Sequence, residues 1–257
     1  MSTTQTDPAS FEFPYRKAGS PLYIELHTHL FPPESQAYGD LNDHFRRVFD
    51  SAAELGVQGQ PVRTLHPTDH MTYLIFHAFK HFLHSGFGVR QICDMLLFAR
   101  AYRSEIDWGH VRESCRSIRA ERFAAAVFAI GSRHLGFGTV DGWPAVNELP
   151  LLEDVLRAGI YGSADETRLH SSTITLTAVS AQKEQRRTPA GLLVSAFPPA
   201  KSLAGRYPWL KERPYLLPAA WGLRIARYLR QPAADPAATV RVGAERVELL
   251  RQYGIIE

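Results

Sequence analysis

Three side chains near the start of the chain have the types and the spacing of a metal or phosphoryl-transfer site. Glu25, His27 and His29 alternate with other residues in the β-type run 23–29. Successive side chains of a strand point to opposite faces, so these three would share one face. A carboxylate suits Mg²⁺, whereas two imidazoles suit Zn²⁺ or a similar transition metal. The same spacing also fits an ordinary strand with a surface charge and hydrogen-bonded histidines.

A second group of histidines lies on the helix predicted over 67–85. This histidine stripe, His70, His77, His81 and His84, recurs at offsets of seven, four and three, which places its members along one side of a helix. His77 and His81 have the spacing of helical metal ligands, but the run His-Ala-Phe-Lys-His lacks the glutamate of a zinc-protease helix. The alternative is a polar face that packs under a second layer and hydrogen-bonds to Asp69 or Asp94.

Two further features have both a functional and a structural interpretation. Lys80 could contact a phosphate or carry a solvated charge. The block 197–230 interleaves arginines and lysines with tyrosines and tryptophans, a combination that can hold nucleotides by stacking and charge. The net charge of only +3 gives no clear nucleic-acid signal, which favours a proline-fixed cap whose aromatics fill a core.

The elements that must position these residues are mostly helical. The pattern predicts a disordered lead and an extended approach over 1–20, and one strand over 23–31. Helices follow over 40–55, 67–85, 89–102, 108–119, 120–135, 151–158, 171–186, 221–230 and 237–253. We therefore expect an α+β, mostly α chain in three parts. A lead and a strand occupy 1–35, a helical domain 36–136, and a proline- and aromatic-rich helical region 137–257.

Bulk composition limits the class of protein. The chain has 257 residues, of which 45% are hydrophobic and 21% are charged, as expected of a globular protein. No apolar run is long enough to span a bilayer, and the first ten residues do not resemble a secretion signal. The two cysteines, Cys93 and Cys115, lie in helical patterns and form no metal motif. We expect a cytoplasmic protein without a membrane partner.

The run 24–33 resembles the first-strand His-x-His motif of amidohydrolase-type barrels. That resemblance implies a metal-dependent hydrolase in which His27 and His29 bind Zn²⁺. A barrel of this type alternates strands with helices, whereas this chain is predicted to be helical for nearly a hundred residues after position 40. The pattern therefore argues against a barrel, although the hydrolase stays an alternative.

A second resemblance covers most of the chain and depends on the order of its motifs. The order is similar to the C-terminal part of a bacterial family described as uncharacterised nucleotidyltransferases. The motifs are Glu-Leu-His at 25–27, then the runs 65–70, 77–81, 90–94, 107–108, 197–199, 206–210 and 216–218, and finally Trp221. No single motif is specific, but their order is.

The resemblance implies a polymerase β-like core that binds Mg²⁺ and acts on a nucleoside triphosphate and an unknown acceptor. Glu25 would be the metal-binding carboxylate, with His27 as a second catalytic residue. The substrate would be lined by His29, His77, Lys80 and His81. In the family, a Gly-Ser turn and two paired acidic residues lie upstream of the Glu-Leu-His strand, where this chain has only 24 residues.

That departure leads to an expectation about activity. One carboxylate cannot assemble a two-metal site, so we expect a family member that lacks its N-terminal catalytic half and is inactive alone. A partner chain would then complete the sheet. A further alternative is a non-catalytic helical protein that completes its fold with another chain.

Overall fold

The computed structural model describes residues 2–3, 12–17, 19–31, 41–84, 86–160, 179, 200–203, 207–210, 212–229 and 236–257. This part of the chain is mostly helical and contains two small antiparallel sheets, which confirms the α+β, mostly α class. Both sheets are antiparallel, so the described residues do not form the parallel barrel of the hydrolase alternative. None of the described helices combines the length and the apolar character that a membrane span requires.

The first sheet holds the strand that carries the candidate chemistry. Its strands are β1 (Ser2–Thr3), β2 (Glu12–Arg16) and β3 (Tyr23–His27), in that order. β2 pairs with β3 over five positions, from Glu12 opposite His27 to Arg16 opposite Tyr23. The turn between them includes Gly19 at φ 75° and a 3.1 Å hydrogen bond from the Ser20 amide to the Lys17 carbonyl.

β3 is therefore not the lone strand that the sequence predicted. The segment 12–16, predicted only as an extended approach after a disordered lead, pairs with it along its full length. β3 also ends at His27 rather than at residue 31. Pairing between strands depends on a partner elsewhere in the chain, which periodicity within one segment does not identify.

The second sheet is a hairpin of β4 (Ala53–Val57) and β5 (Gln60–Thr64). Its two turn residues, Gln58 and Gly59, have φ of 50° and 76°, and positive φ at both positions is typical of the two-residue hairpin turn. The predicted helix over 40–55 is wrong beyond a short 3-10 helix at Leu41–Phe45. Phe49, which lies within the segment predicted as helix, is 73% exposed.

Helices form the centre of the molecule close to where the sequence predicts them. They are α1 (Pro67–His84), α2 (Val89–Ala101), α3 (Trp108–Ser117), α4 (Glu121–His134) and α5 (Leu149–Ala158). Asp107 caps α3 by accepting a 3.0 Å hydrogen bond from the His110 amide. Gly86 follows α1 with φ 93°, and its amide donates to the His81 carbonyl over 2.8 Å.

The C-terminal region is segmented, as its prolines indicate. It contains one helical turn at Ala200–Leu203, 3-10 helices at Pro208–Leu210 and Pro214–Leu216, and helices α6 (Leu217–Leu229) and α7 (Pro236–Gln252). Leu203, Tyr207, Leu210 and Ala220 form a small buried cluster. The predicted helix 171–186, apart from residue 179, and the 197–199 motif lie outside the described residues.

The main hydrophobic core gathers around α1. Phe76, Phe79 and Phe82 are at most 1% exposed, and Phe82 stacks on Phe123 of α4 with ring centroids 5.0 Å apart. The core extends from Phe31 to Ile256. It therefore includes residues from all three parts that the sequence predicted.

Candidate functional site

β3 presents Glu25 and His27 on the same side of an exposed strand. The His27 Nε2 atom lies 3.8 Å from Glu25 Oε2, and the two side chains are 37% and 41% exposed. The period of two in a strand accounts for this placement. The pair attracts when the imidazole is protonated, and both side chains remain accessible to a ligand.

His29 does not continue this face, because it follows the end of β3 at His27. Its Nδ1 atom lies 3.1 Å from the hydroxyl of Thr28. Two residues later the chain is anchored. Phe31 is 1% exposed, and its amide and carbonyl each make a 3.0 Å hydrogen bond with the side chain of Asn42. The buried Phe31 side chain and these hydrogen bonds thus hold the chain in place just after β3.

On α1, three side chains at spacing four form a continuous polar chain. The Tyr73 hydroxyl lies 3.1 Å from His77 Nδ1, and His77 Nε2 lies 2.8 Å from His81 Nε2. All three side chains are half-buried. The sequence singled out the two histidines but missed Tyr73, which its position four residues before His77 could have indicated.

The two aspartates proposed as partners of these histidines are engaged elsewhere. Asp69 accepts a 3.2 Å hydrogen bond from the hydroxyl of Ser51. Asp94 lies 3.8 Å from Arg90, four residues before it on α2. The interpretation in which aspartates hold His77 and His81 is therefore wrong, because these histidines contact each other and a tyrosine instead.

Burial and nearby charges keep both histidines neutral. Burial, followed by the charges of His81, Lys80 and His27, lowers the pKa of His77 to about 4. Burial, followed by the charges of Lys80 and His84, lowers the pKa of His81 to about 4. His27 of β3 thus lies close enough to α1 for its charge to act on His77.

The structure brings the predicted site residues together in two groups. Glu25 lies beside His27 on β3, and His77 contacts His81 on α1. The charge of Lys80 acts on both α1 histidines, and that of His27 acts more weakly on His77. His29 contacts Thr28 and is seen in neither group. Burial also lowers the pKa of the other two histidines of the stripe, His70 and His84. The ring of His70 packs on that of Phe98.

The side-chain donor atoms of the candidate site residues limit which ions they can bind. Across the described residues, no three or more His, Cys, Asp and Glu side chains are grouped closely enough to hold a metal ion. Mg²⁺ is commonly bound by one or two carboxylates together with substrate phosphates and water. The exposed Glu25 carboxylate fits one such ligand position, and the other ligands would have to come from elsewhere.

Comparison with known proteins identifies the family. The family model described as uncharacterised nucleotidyltransferase matches residues 3–136. The chain belongs to this family. No curated protein and no solved structure matches it. The matched stretch of this nucleotidyltransferase-family protein contains β3 and α1, and so all the predicted site residues. It ends before the 197–221 motifs on which the sequence resemblance also depended.

Proposed function

We propose that this protein takes part in Mg²⁺-dependent transfer of a nucleotidyl group from a nucleoside triphosphate to an acceptor. The observation that carries the proposal is the placement of Glu25 and His27 within the family-matched stretch, side by side on an exposed strand. Family membership supports the general reaction. The residues and the ion are our assignment.

The assigned roles follow from the chemistry of the transfer. An acceptor hydroxyl oxygen bonds to the α-phosphorus, the bond to the bridging oxygen breaks, and pyrophosphate leaves. Bound Mg²⁺ would neutralise phosphate charge and acidify the attacking hydroxyl. Glu25 supplies a carboxylate ligand, His27 accepts the hydroxyl proton at Nε2, and Lys80 attracts the phosphates. His29, His77 and His81 line the substrate.

The proposal includes a partner chain that completes the site. A two-metal site needs more carboxylates than Glu25 alone provides. β3 is an edge strand of the described sheet and all five of its residues are exposed. Edge strands offer backbone groups for pairing with another chain. We assign the missing carboxylates to a strand of that chain, which would pair beside β3.

The experiment follows transfer of an α-phosphate label. The purified protein is incubated with Mg²⁺ and each α-labelled nucleoside triphosphate, alone and with an extract of the cells that express it. We expect no transfer by the chain alone, and transfer in the extract that Glu25→Gln lowers by about a hundredfold or more. Glu54→Gln is the matched control, because Glu54 is also an exposed acid on a strand.

The outcomes separate the parts of the proposal. Label transfer that is the same for wild type and Glu25→Gln overturns the assigned site. Glu25-dependent transfer by the chain alone retains the site and overturns the partner. If neither the chain nor the supplemented mixture transfers label, the non-catalytic alternative is favoured.

We also propose that the protein works in a reducing compartment such as the cytoplasm. Its two cysteines, Cys93 and Cys115, are both free thiols, which supports this placement. Burial, followed by the charge of Glu121, raises the pKa of Cys115, so this thiol is inert at neutral pH.

A further inference from the structure

We propose that His77 and His81 form a binding site for a transition-metal ion, with Zn²⁺, Ni²⁺ and Cu²⁺ as the candidate ions. This site is separate from the Mg²⁺ position assigned to Glu25, although its two histidines are also assigned to the substrate lining, and ion binding can be measured without nucleotidyl transfer. Its ligands would be the two Nε2 atoms, which face each other on consecutive turns of α1.

The distance between the two nitrogens suits a shared ion. The Nε2 atoms lie 2.8 Å apart. Two imidazole nitrogens, each roughly 2.0–2.1 Å from one tetrahedral ion, are separated by roughly 3.3 Å. Histidines at spacing four on one helix face are a recurrent arrangement for Zn²⁺. The two nitrogens would therefore have to move apart by about half an ångström to share the ion.

The hydrogen bond to Tyr73 has the form expected behind a metal-binding histidine. When His77 binds an ion through Nε2, its proton resides on Nδ1, and Nδ1 lies 3.1 Å from the Tyr73 hydroxyl. Such a partner for the second ring nitrogen fixes the tautomer and the ring orientation. Without an ion, the same atoms form a chain in which Tyr73 donates to His77 and His77 donates to His81.

The ligand type and the side chains around His77 and His81 determine which ions can bind and how tightly. Imidazole nitrogen favours Zn²⁺, Ni²⁺ and Cu²⁺ over Mg²⁺. Both rings are half-buried, and the proton that His77 donates from Nε2 would move to Nδ1 of the same ring when the ion binds. The charge of Lys80 acts on both rings and disfavours a cation. Within the described residues no third protein ligand is in place, so water would complete the coordination.

The test uses the full chain, freed of metal by a chelator and titrated calorimetrically with Zn²⁺, Ni²⁺ or Mg²⁺. We expect one Zn²⁺ or Ni²⁺ per chain and no competition from Mg²⁺. His77→Ala and His81→Ala should each weaken binding about tenfold or more, and Tyr73→Phe about tenfold. His66→Ala is the matched control and should bind as wild type does, because His66 is exposed just before α1.

A second measurement guards against loss of folding in the variants. Bound metal stabilises the native state by mass action, so Zn²⁺ should raise the melting temperature of the wild type and His66→Ala but not of His77→Ala. Circular dichroism confirms that each variant is helical. Absence of Zn²⁺ and Ni²⁺ binding by the wild type, or wild-type affinity in folded His77→Ala and His81→Ala, would overturn the proposal.

Discussion

His70 illustrates how burial of a single side chain couples this fold to pH. It is half-buried, and its ring centroid lies 4.4 Å from that of Phe98. His70, Asp94 and Phe98 line one open groove on the surface. Burial lowers the pKa of His70 below the ordinary value of 6.5. The folded state therefore favours the neutral ring. The resulting stability is present above pH 6.5 and is lost as the pH falls below that value.

Replacing His70 should reduce the acid sensitivity of folding. In His70→Gln the side chain no longer titrates, so the free energy of unfolding should fall less between about pH 7.5 and about pH 5 than in the wild type. Urea unfolding at the two pH values measures both differences. An equal or larger fall in His70→Gln would contradict the role of burial.

At the scale of elements, Gly88 controls how closely the start of α2 approaches the end of α5. A Cβ atom at this position would lie 2.0 Å from the carbonyl oxygen of Ile160. That carbonyl also accepts a 3.3 Å hydrogen bond from the amide of Arg90. Because the obstacle is backbone rather than a flexible side chain, the contact cannot relax locally, and the two elements would have to move apart.

Gly88→Ala should therefore destabilise the protein, by about 1–3 kcal/mol. Gly222→Ala is the matched control, because Gly222 lies inside α6 with nothing within 4 Å of its added Cβ. Helix propensity alone should make that variant more stable by about 0.5–1 kcal/mol. Urea unfolding reports both changes, and a shift of the same sign in the two variants would refute the packing argument.

Comparing the elements with the sequence shows which of them local signals predict, and why contacts between distant elements could not be predicted. Pro67 and Asp107 mark the starts of α1 and α3 by local signals that act within one turn. The β4–β5 hairpin was missed, although Gln58 and Gly59 supply its turn. The His77–His81 contact follows from spacing four. The pairing of β3 with β2 depends on a partner strand elsewhere in the chain, which no local pattern encodes.

At the scale of the whole molecule, Arg246 connects α7 to α1 and α5. It is 3% exposed, its guanidinium donates to the Phe82 carbonyl, and it lies over the Phe82 ring at 5.7 Å. One of its nitrogens is 3.7 Å from a carboxylate oxygen of Asp154. A buried cation held in this way links three helices that are distant in sequence.

Removing the Arg246 side chain should be costly because it deletes the ion pair with the nearly buried Asp154 and the buried hydrogen bond to the Phe82 carbonyl. We expect Arg246→Ala to lower the free energy of unfolding by about 3–5 kcal/mol, and the double variant Arg246→Met with Asp154→Leu to recover much of that loss. Arg251→Ala is the control, since Arg251 makes an exposed 3.3 Å pair with Glu248, and should cost less than about 1 kcal/mol.

Urea unfolding of the four proteins measures these differences. A loss in Arg246→Ala no larger than that in Arg251→Ala would show that the buried connection does not hold the helices together. A double variant as unstable as Arg246→Ala would show that the lost packing, rather than the uncompensated charge, dominates.

The segment from Arg246 to Ile256 has a consequence for how the protein is made. Tyr253 donates to the Asn147 carbonyl and accepts from the Leu151 amide, across 106 and 102 positions, and Arg246 reaches Phe82 across 164. Contacts of such separation form late. During synthesis, Phe82 and Leu151 lack these contacts until this segment has left the ribosome. In that interval the unfinished core is open to aggregation and is a natural substrate for chaperones.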